Sequence, residues 1–384
     1  MRIVCVHQGY ELYGSDRCFV ESVAALRAAY PHAEIEIVLP REGPISAPLA
    51  PFADRICYEP LFVLRRKSLG RQALTWPLAL PVALWRAGRR LVNADLCYIN
   101  TSVVLDYQIM ARFLPGRSLL HIHEITTGSA RTVFRALALW SGARLLFNSR
   151  ATRDSFAPPK GRAFDVIYNG VEGPAAPQAV SYDGARPLRV ALIGRINRIK
   201  GQDILLSALA RLPKATRARF SVRMVGGAFE NPSLETRLRE DVVAAGLEEV
   251  VSVEPFAIDT APIYRWADVV VAPSKLPESL GRTAIEAMSY ARPALVSAIG
   301  GLTEVVADGE TGWHVPPGDA EALAQTLLLI VTAPGQWSSF GQKARARYEA
   351  LFTPRAAAEA LAAAARAACR KPEAPALSLA SKTR

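Results

Sequence analysis

The sequence lacks the features that mark secreted, disulfide-rich or membrane-spanning chains. Its five cysteines, at positions 5, 18, 57, 97 and 369, are odd in number and form no Cys-x-x-Cys pair. That spacing argues against a disulfide framework or a zinc site and is typical of a reducing compartment. No apolar run reaches the roughly 18 residues of a spanning helix. The N-terminal MRIVCVHQGYELYG has too short an apolar core for a secretory signal. We therefore expect a cytoplasmic protein.

Acidic residues are absent between Glu59 and Asp95, although the whole chain carries a net charge of +11. The same interval holds seven basic residues and the apolar run ALTWPLALPVALW, bracketed by Trp76 and Trp85. Basic ends and interfacial tryptophans predict a helix lying on an anionic membrane surface, peripheral on the inner face of the cell membrane. The alternative is a core helix whose start is marked by the prolines. Nucleic acid is disfavoured as a partner because no recognised binding motif occurs.

Two nucleotide-binding motifs are also missing. The loop after LRVALIG contains only Gly194 and Gly201, so it does not match GxGxxG, and an NAD enzyme is disfavoured. No Asp-x-Asp occurs in the chain, which disfavours a metal-bound diphosphate. We expect neither a metal nor a bound cofactor.

Strand-like runs alternate with helical patterns along the chain, which predicts an α/β protein with doubly wound parallel sheets. The strand candidates of the first half are RIVCVH, EIEIVLP, RICYE, DLCYIN, SLLHIHE, ARLLFNS and FDVIYNG. Those of the second half are LRVALIG, FSVRMVGG, VVSVEPF, DVVVAPS, PALVSAIG and GWHVPPG. A Gly- and Pro-rich linker separates the two sets. We predict domains at 1–170 and 188–350, a linker at 171–187, a helix at 351–370 and a disordered tail at 371–384.

The loops that follow strands contain the candidate ligand-binding residues. Arg195 and Lys200 stand after a strand and before a helix, where cations and helix amides together suit a diphosphate. The alternative is a pair of solvated surface charges. The loop around Glu254 to Ala257 is the candidate for contacts to a nucleotide base.

The run PESLGRTAIEAM holds Glu278 and Glu286, eight positions apart. A carboxylate accepts hydrogen bonds from two hydroxyls, so Glu286 suits a ribose and Glu278 an attached sugar. Leu280, Gly281 and Thr283 would present backbone N–H groups, with Gly281 allowing close approach. Two solvated surface glutamates are the alternative.

The stretch from PESLGRTAIEAM to HVPPGDAEALA resembles the signature region of the GT4 family of retaining glycosyltransferases, with its E-x7-E motif. ALIGRINRIKGQDILLSAL resembles the phosphate-binding loop of that family, and HIHEI, FNSRATRDSF and IYNGVE resemble its first-domain landmarks. The resemblance implies the GT-B fold: two Rossmann-like domains facing a cleft, the first for the acceptor and the second for a nucleotide sugar, and a C-terminal helix that crosses back to the first domain.

The resemblance also implies roles for individual residues. Arg195 and Lys200 become the diphosphate ligands, Glu286 the ribose ligand and Glu278 the ligand of the donor sugar. His123 becomes the cleft histidine near the reacting groups, whereas His121 is expected to be a satisfied core residue. The remaining implied donor contacts are Gly14, Leu280, Gly281, Arg282 and Thr283.

The sequence departs from the family at three places. Leu280 stands where many members have Phe, Ala291 where many have Gly, and Gly14 alone where a Gly-Gly pair is common.

The resemblance implies transfer of a hexose from a nucleotide diphosphate sugar, GDP-mannose or a UDP-hexose, to an acceptor hydroxyl with retention of configuration. We expect a lipid-linked acceptor in cell-surface polysaccharide or lipopolysaccharide synthesis. A soluble acceptor, a UDP-sugar epimerase and a non-catalytic nucleotide-sugar binding module are the alternatives.

Overall fold

The computed structural model describes residues 1–12, 14–63, 69–113, 116–126, 128–228 and 231–369. The predicted tail at 371–384, three of the basic residues after Glu59 and the side chain of Trp76 lie outside this description.

The first domain is a seven-stranded parallel sheet in the order β3-β2-β1-β4-β5-β6-β7. Its strands are β1 (Arg2–His7), β2 (Glu34–Leu39), β3 (Arg55–Tyr58), β4 (Leu96–Asn100), β5 (Ser118–Ile122), β6 (Arg144–Phe147) and β7 (Phe164–Val166). Its helices are α1 (Gly14–Ala29), α2 (Ser46–Leu49), α3 (Leu69–Val92), α4 (Leu105–Ala111), α5 (Gly128–Trp140) and α6 (Arg150–Phe156). The central strands are buried on both faces, as parallel strands covered by helices must be.

The second domain is a six-stranded parallel sheet in the order β10-β9-β8-β11-β12-β13. Its strands are β8 (Leu188–Ile193), β9 (Phe220–Val225), β10 (Val251–Glu254), β11 (Val269–Ala272), β12 (Ala294–Ser297) and β13 (Gly312–Val315). The helices that follow β7 are α7 (Gln202–Arg211), α8 (Lys214–Arg217), α9 (Ser233–Ala244), α10 (Ala261–Trp266), α11 (Arg282–Ser289), α12 (Leu302–Val305), α13 (Ala320–Thr332), α14 (Phe340–Leu351) and α15 (Pro354–Ala368). Every predicted strand segment contains a strand, which confirms the doubly wound fold.

The last helix, α15, packs on the first domain, as the predicted fold requires. Leu361 and Ala365 are buried in the same core as Phe19 and Leu26 of α1. The chain returns to this domain beside the linker, where Val171 N–H donates to the carbonyl of Phe352 at 2.9 Å. α15 therefore packs against α1 near the start of the chain.

Helix α3 begins at Leu69 and contains both Pro77 and Pro81 in its interior. The prolines therefore do not mark the start of the helix, although the alternative was right that the helix packs on the core. Within its described side chains, the inner stripe is buried in the core of the first domain. On the opposite face Val82, Trp85 and Val92 are exposed, Trp85 to 63%. No helix in the described part of the chain is long and apolar enough to cross a bilayer.

Candidate functional site

The candidate site lies where the strand order of the second sheet reverses. β8 and β11 are neighbours there, so the loops that follow them leave the sheet side by side. Open α/β sheets bind ligands at such a switch point, beyond the carboxyl ends of the strands. Arg195 and Lys200 follow β8, and Glu278 follows β11. The fold thus brings these three predicted residues to one edge.

Side-chain hydrogen bonds shape the loop after β8. Asn197 Oδ1 accepts from the backbone N–H groups of Ile199 and Lys200, at 2.9 and 3.1 Å. Gln202, buried at the start of α7, donates from Nε2 to the carbonyl of Arg195 at 2.9 Å. The backbone that presents the two cations is therefore held by the protein itself.

The loops after β8 and β11 meet through an ion pair. Lys200 Nζ lies 2.8 Å from Glu278 Oε2, and Ser274 Oγ donates to the other carboxylate oxygen. Gly201 allows this approach, because its φ is +73° and a Cβ there would lie 2.0 Å from the carbonyl oxygen of Pro273. The cation predicted to hold a diphosphate and the carboxylate predicted to hold a sugar are each other's counter-ion.

Glu286 is held by two donors. Tyr264 Oη donates to its Oε2 at 2.6 Å, and Arg282 Nε donates to its Oε1 at 3.0 Å. Burial, together with the neighbouring Glu286 carboxylate, raises the pKa of Tyr264 well above its ordinary value, so the phenol remains a donor. These bonds fix the orientation of the carboxylate that is predicted to hold a ribose.

Arg282 joins the two domains. Its Nη2 lies 3.4 Å from Glu21 Oε1 and its Nη1 lies 3.8 Å from Cys18 Sγ, both on α1 of the first domain. Burial lowers the pKa of Arg282, but Glu21, Cys18 and Glu286 outweigh burial and the net direction is upward. Burial raises the pKa of Glu21 to about 7. The structure places Arg282, predicted to contact the donor, between carboxylates of both domains.

The start of α11 offers backbone amides at the same edge. Gly281 precedes the helix with a φ of +89°, and a Cβ there would lie 2.5 Å from Leu302 Cδ2, so only glycine fits. The first N–H groups of a helix have no acceptor within it. Leu280 turns its side chain into the core, and Thr283 Oγ1 donates to the carbonyl of Ile193 at 3.4 Å. The main chain of this segment is thereby the part available to an anion.

A chain of buried polar side chains crosses the carboxyl end of the first sheet. Asp16 Oδ1 lies 2.8 Å from His7 Nε2, His7 Nδ1 lies 2.9 Å from Asn100 Nδ2, and Asn100 Oδ1 lies 2.8 Å from His123 Nε2. Burial, then the neighbouring His121 and His7, lowers the pKa of His123 well below its ordinary value. His123, the predicted cleft histidine, is therefore a neutral imidazole held by Asn100.

His121 lies beside His123, with ring centroids 4.0 Å apart. Its Nδ1 is 2.7 Å from Tyr98 Oη, and burial lowers its pKa to about 3. In the part of the chain that the structure describes, no three His, Cys, Asp or Glu residues form a group that could hold a metal ion.

Gly9 is the glycine that the first-domain loop requires. A Cβ on Gly9 would lie 1.9 Å from Asp16 Oδ1 and 2.6 Å from His7 Nε2. A Cβ on Gly14, the predicted ligand, would meet nothing within 4 Å. Gly14 is instead the first residue of α1, where a helix presents its N–H groups to an anion.

A small pocket lies beside Arg195 at the ends of β8 and β9. Phe256 and Ala257 line it, in the segment predicted to contact a base. Glu254 of the same segment is bound instead to Arg223, by hydrogen bonds of 2.6 and 2.5 Å. The apolar side chains, and not the Glu254 carboxylate, therefore face this pocket.

Several residues of the site were not predicted. They are Tyr264 and Ser274, which orient Glu286 and Glu278, and Asn148, whose Nδ2 donates to Ser279 Oγ at 3.2 Å across the cleft. Glu304 of the second domain also crosses, and accepts from the backbone N–H groups that begin α6. Ser274 lies only four residues before Glu278, so its partner is local, whereas the partners of Tyr264, Asn148 and Glu304 are distant in the sequence and no local pattern marks them.

Residues 185–347 match the family model described as "Glycosyl transferases group 1". A D-inositol 3-phosphate glycosyltransferase from Kribbella flavida is 35% identical over 164 residues, which cover 40% of this chain and 38% of that relative. One from Kineococcus radiotolerans is 32% identical and covers 50% of this chain and 45% of the relative. The chain thus spans less than half the length of these curated relatives.

Solved structures match over almost the whole chain. HepE from Anabaena, in complex with UDP and glucose, has a TM-score of 0.74 at 24% identity and covers 94% of this chain and 98% of its own. The sucrose-phosphate synthase of Thermosynechococcus elongatus has a TM-score of 0.72 at 22% identity, covering 95% and 98%. The lipopolysaccharide outer core galactosyltransferase WaaB has a TM-score of 0.73 at 14% identity, covering 94% and 97%.

The family model thus matches the second domain of this chain, and the two domains together have the GT-B fold. The predicted fold is confirmed.

Proposed function

We propose that this protein is a retaining glycosyltransferase that moves a hexose from a nucleotide diphosphate sugar to an acceptor hydroxyl. The observation that supports this most is the contact between Lys200 and Glu278 at the switch point, with Glu286 eight residues further on. A cation for the diphosphate, a carboxylate for the sugar and a carboxylate for the ribose thus follow one another along one edge. Together they provide one charged side chain for each of the three parts that such a donor presents: the diphosphate, the sugar and the ribose.

The difficult step is cleavage of the anomeric C–O bond while negative charge develops on the departing diphosphate. Arg195, Lys200 and the amides at the start of α11 would stabilise this charge, as preorganised donors do at many transferring groups. Binding of the diphosphate to Lys200 would release Glu278 from its ion pair to accept hydrogen bonds from sugar hydroxyls. These positive groups would do the work of a metal ion, so we propose metal-independent transfer.

The acceptor hydroxyl would approach the face that the diphosphate leaves, and a departing phosphate oxygen would take its proton. Retention of configuration follows from this same-face displacement. The neutral His123 lies at the carboxyl end of the first sheet, where it would accept or donate a hydrogen bond without adding charge.

The comparisons bear on both the donor and the acceptor. HepE binds UDP and glucose, which favours a UDP-hexose donor; GDP-mannose is the second candidate. WaaB acts on lipopolysaccharide outer core, which supports a lipid-linked acceptor in cell-surface polysaccharide synthesis. The D-inositol 3-phosphate glycosyltransferases support a soluble acceptor as the second candidate.

A thermal-shift series with UDP, GDP, dTDP and their sugars, with and without EDTA, tests the donor site. One nucleotide should stabilise the protein in EDTA, by about 2.7 kcal/mol at 100 times Kd, and Lys200→Ala should abolish the effect. The matched control is Lys275→Ala, which breaks a neighbouring ion pair of 2.7 Å with Asp203. Stabilisation that needs a metal, or that survives Lys200→Ala, would contradict the proposed site. NMR of the glycoside formed from the stabilising sugar nucleotide would test retention.

We also propose that the outer face of α3 contacts an anionic membrane from the cytoplasmic side. Val82 and Trp85 are exposed together on this face, and acidic residues are absent from the whole helix. The double variant Val82→Ser/Trp85→Ser should no longer float with anionic vesicles. The control Val243→Ser, exposed on α9, should float like the wild type.

A further inference from the structure

A groove rich in arginine lies on the first domain, between β1 to β3 and α3. It is bordered by the amino ends of β1 to β3 and by the last turns of α3. Its lining includes Arg2, Arg55, Arg86, Arg89, Arg90 and Trp85, and we call it the arginine groove. Two carboxylates, Glu36 and Glu59, also line it.

Two of the arginines are neutralised inside the groove. Glu36, almost completely buried on β2, accepts from Arg2 Nη2 at 2.5 Å and from Arg90 Nε at 2.8 Å. The other end of Arg90 is paired with Glu59. Burial opposes ionisation of Glu36, but the hydrogen bonds from Arg90 and Arg2 prevail and lower its pKa to about 2. This network is a permanent part of the fold.

The other three arginines have no such partner. Arg55, Arg86 and Arg89 form no ion pair with any carboxylate among the described residues. Arg89 lies instead over the ring of Trp85, with its Cζ 5.7 Å from the ring centroid. After Glu36 and Glu59 are counted, three positive charges are left on one groove. Like charges held together destabilise one another unless an anion is shared between them.

The shape and chemistry of these side chains suit a phosphate group. A guanidinium presents two parallel N–H groups that match two phosphate oxygens, and a stacked ring holds its plane in position. A cation would be repelled, and a lone carboxylate would leave most of the donors unused. We propose that the arginine groove is a phosphate-binding site that is separate from the donor site.

The phosphate could belong to a lipid or to a soluble molecule, because the recognising chemistry is the same. The lipid source is consistent with the position of the groove, which shares Trp85 with the exposed face of α3. The proposal does not depend on glycosyl transfer, because none of the groove residues belongs to the proposed donor site.

The test compares the full-length protein with Arg86→Gln/Arg89→Gln, which removes two unpaired charges and leaves the Glu36 network intact. Arg237→Gln/Arg239→Gln on α9 is the control, because it removes the same charge from the other domain. Thermal shifts are measured in sodium phosphate against sodium chloride of equal ionic strength. Phosphate held in the cleft contributes equally to all three proteins, so only the difference between them reports the groove. Vesicles of phosphatidic acid in phosphatidylcholine, and of phosphatidylcholine alone, form the second arm.

We expect inorganic phosphate to bind the groove variant at least tenfold more weakly than the wild type and the control. If the phosphatidic acid vesicles bind the wild type and the control but not the groove variant, the source of the phosphate is a lipid headgroup. If they bind none of the proteins, the source is a soluble phosphate. The proposal is wrong if the groove variant matches the control in both arms.

Discussion

Glu304 should control how tightly the two domains close. This residue of α12 accepts from the backbone N–H groups of Arg150 and Ala151 at 2.8 and 2.5 Å, and from Tyr168 Oη at 3.0 Å. The two amides begin α6 in the first domain, where an anion is favoured by the helix dipole. Glu304→Ala removes all three bonds at once without changing the core of either domain.

The size of the effect follows from these contacts. A carboxylate that caps a helix contributes about 0.5–2 kcal/mol, and a hydrogen bond to a charged group contributes about 1.5–3 kcal/mol. The three bonds share one carboxylate, and water replaces them when the domains part. We therefore expect about 2–3 kcal/mol, which is roughly a 30- to 150-fold shift towards the open arrangement.

Hydrogen exchange at the amides of Arg150 and Ala151 measures this directly, and it needs no substrate. Both amides should exchange roughly 30 to 150 times faster in Glu304→Ala, whereas the amides of β6 should not change. Glu310→Ala, which removes an equal charge from an exposed loop, is the control. Unchanged protection of the two amides in a folded Glu304→Ala protein would refute the role of Glu304 in holding the domains together.

Three further changes have effects that can be predicted from the structure. Glu278→Gln should lower hexosyl transfer by about 10²- to 10³-fold. It should leave the affinity for UDP equal or tighter, because Lys200 loses its competing counter-ion. Weaker binding of UDP in calorimetry would contradict this. Ala291→Gly should raise the free energy of unfolding in urea by about 0.5–1 kcal/mol, because Ala291 has a φ of +55°; an equal or lower value would contradict it. Glu21 has a pKa raised from 4.5 to about 7, so the stability it confers is complete below pH 4.5 and declines as the pH rises through 7. Glu21→Gln should therefore be more stable than the wild type at pH 8, by up to about 3 kcal/mol, and equal to it at pH 4; the same difference at both pH values would contradict this.

The fold could be predicted because its signals are local. Runs such as LRVALIG and DVVVAPS are short, apolar and β-branched, and each is followed by turn residues and a helical pattern. The order of these segments alone indicates parallel sheets, and a parallel sheet places Lys200 and Glu278 at one edge. Ala291 also carries a local signal, because it stands where the family often has Gly. It lies at the end of α11, where Ala291 N–H donates to the carbonyl of Met288 and Arg292 N–H donates to the carbonyl of Ala287.

The partners of the site residues could not be predicted, because they depend on how distant segments pack. Nothing near Glu286 in the sequence marks Tyr264 as its donor, and nothing near Arg282 marks Glu21. The prediction that the prolines mark the start of α3 failed for a related reason. Proline disfavours a helix interior because it removes one hydrogen bond and crowds the preceding turn, but the packing of α3 on the first domain overrides this preference.

Two cations of the cleft are held by three carboxylates, and this arrangement would couple the proposed donor site to closure of the two domains. Lys200 is paired with Glu278, and Arg282 is shared between Glu286 of its own domain and Glu21 of the other. A diphosphate bound to Lys200 as proposed would compete with Glu278, so part of its binding energy would be used to free that carboxylate. A ribose bound to Glu286 as proposed would leave the charge of Arg282 unchanged but compete with it for the carboxylate oxygens, which would strengthen the attraction of Arg282 for Glu21. Because Glu21 lies on α1, this second exchange would draw the first domain towards the donor. Donor binding and domain closure would then be two results of one redistribution of hydrogen bonds, with Glu304 holding the same interface from the α6 side.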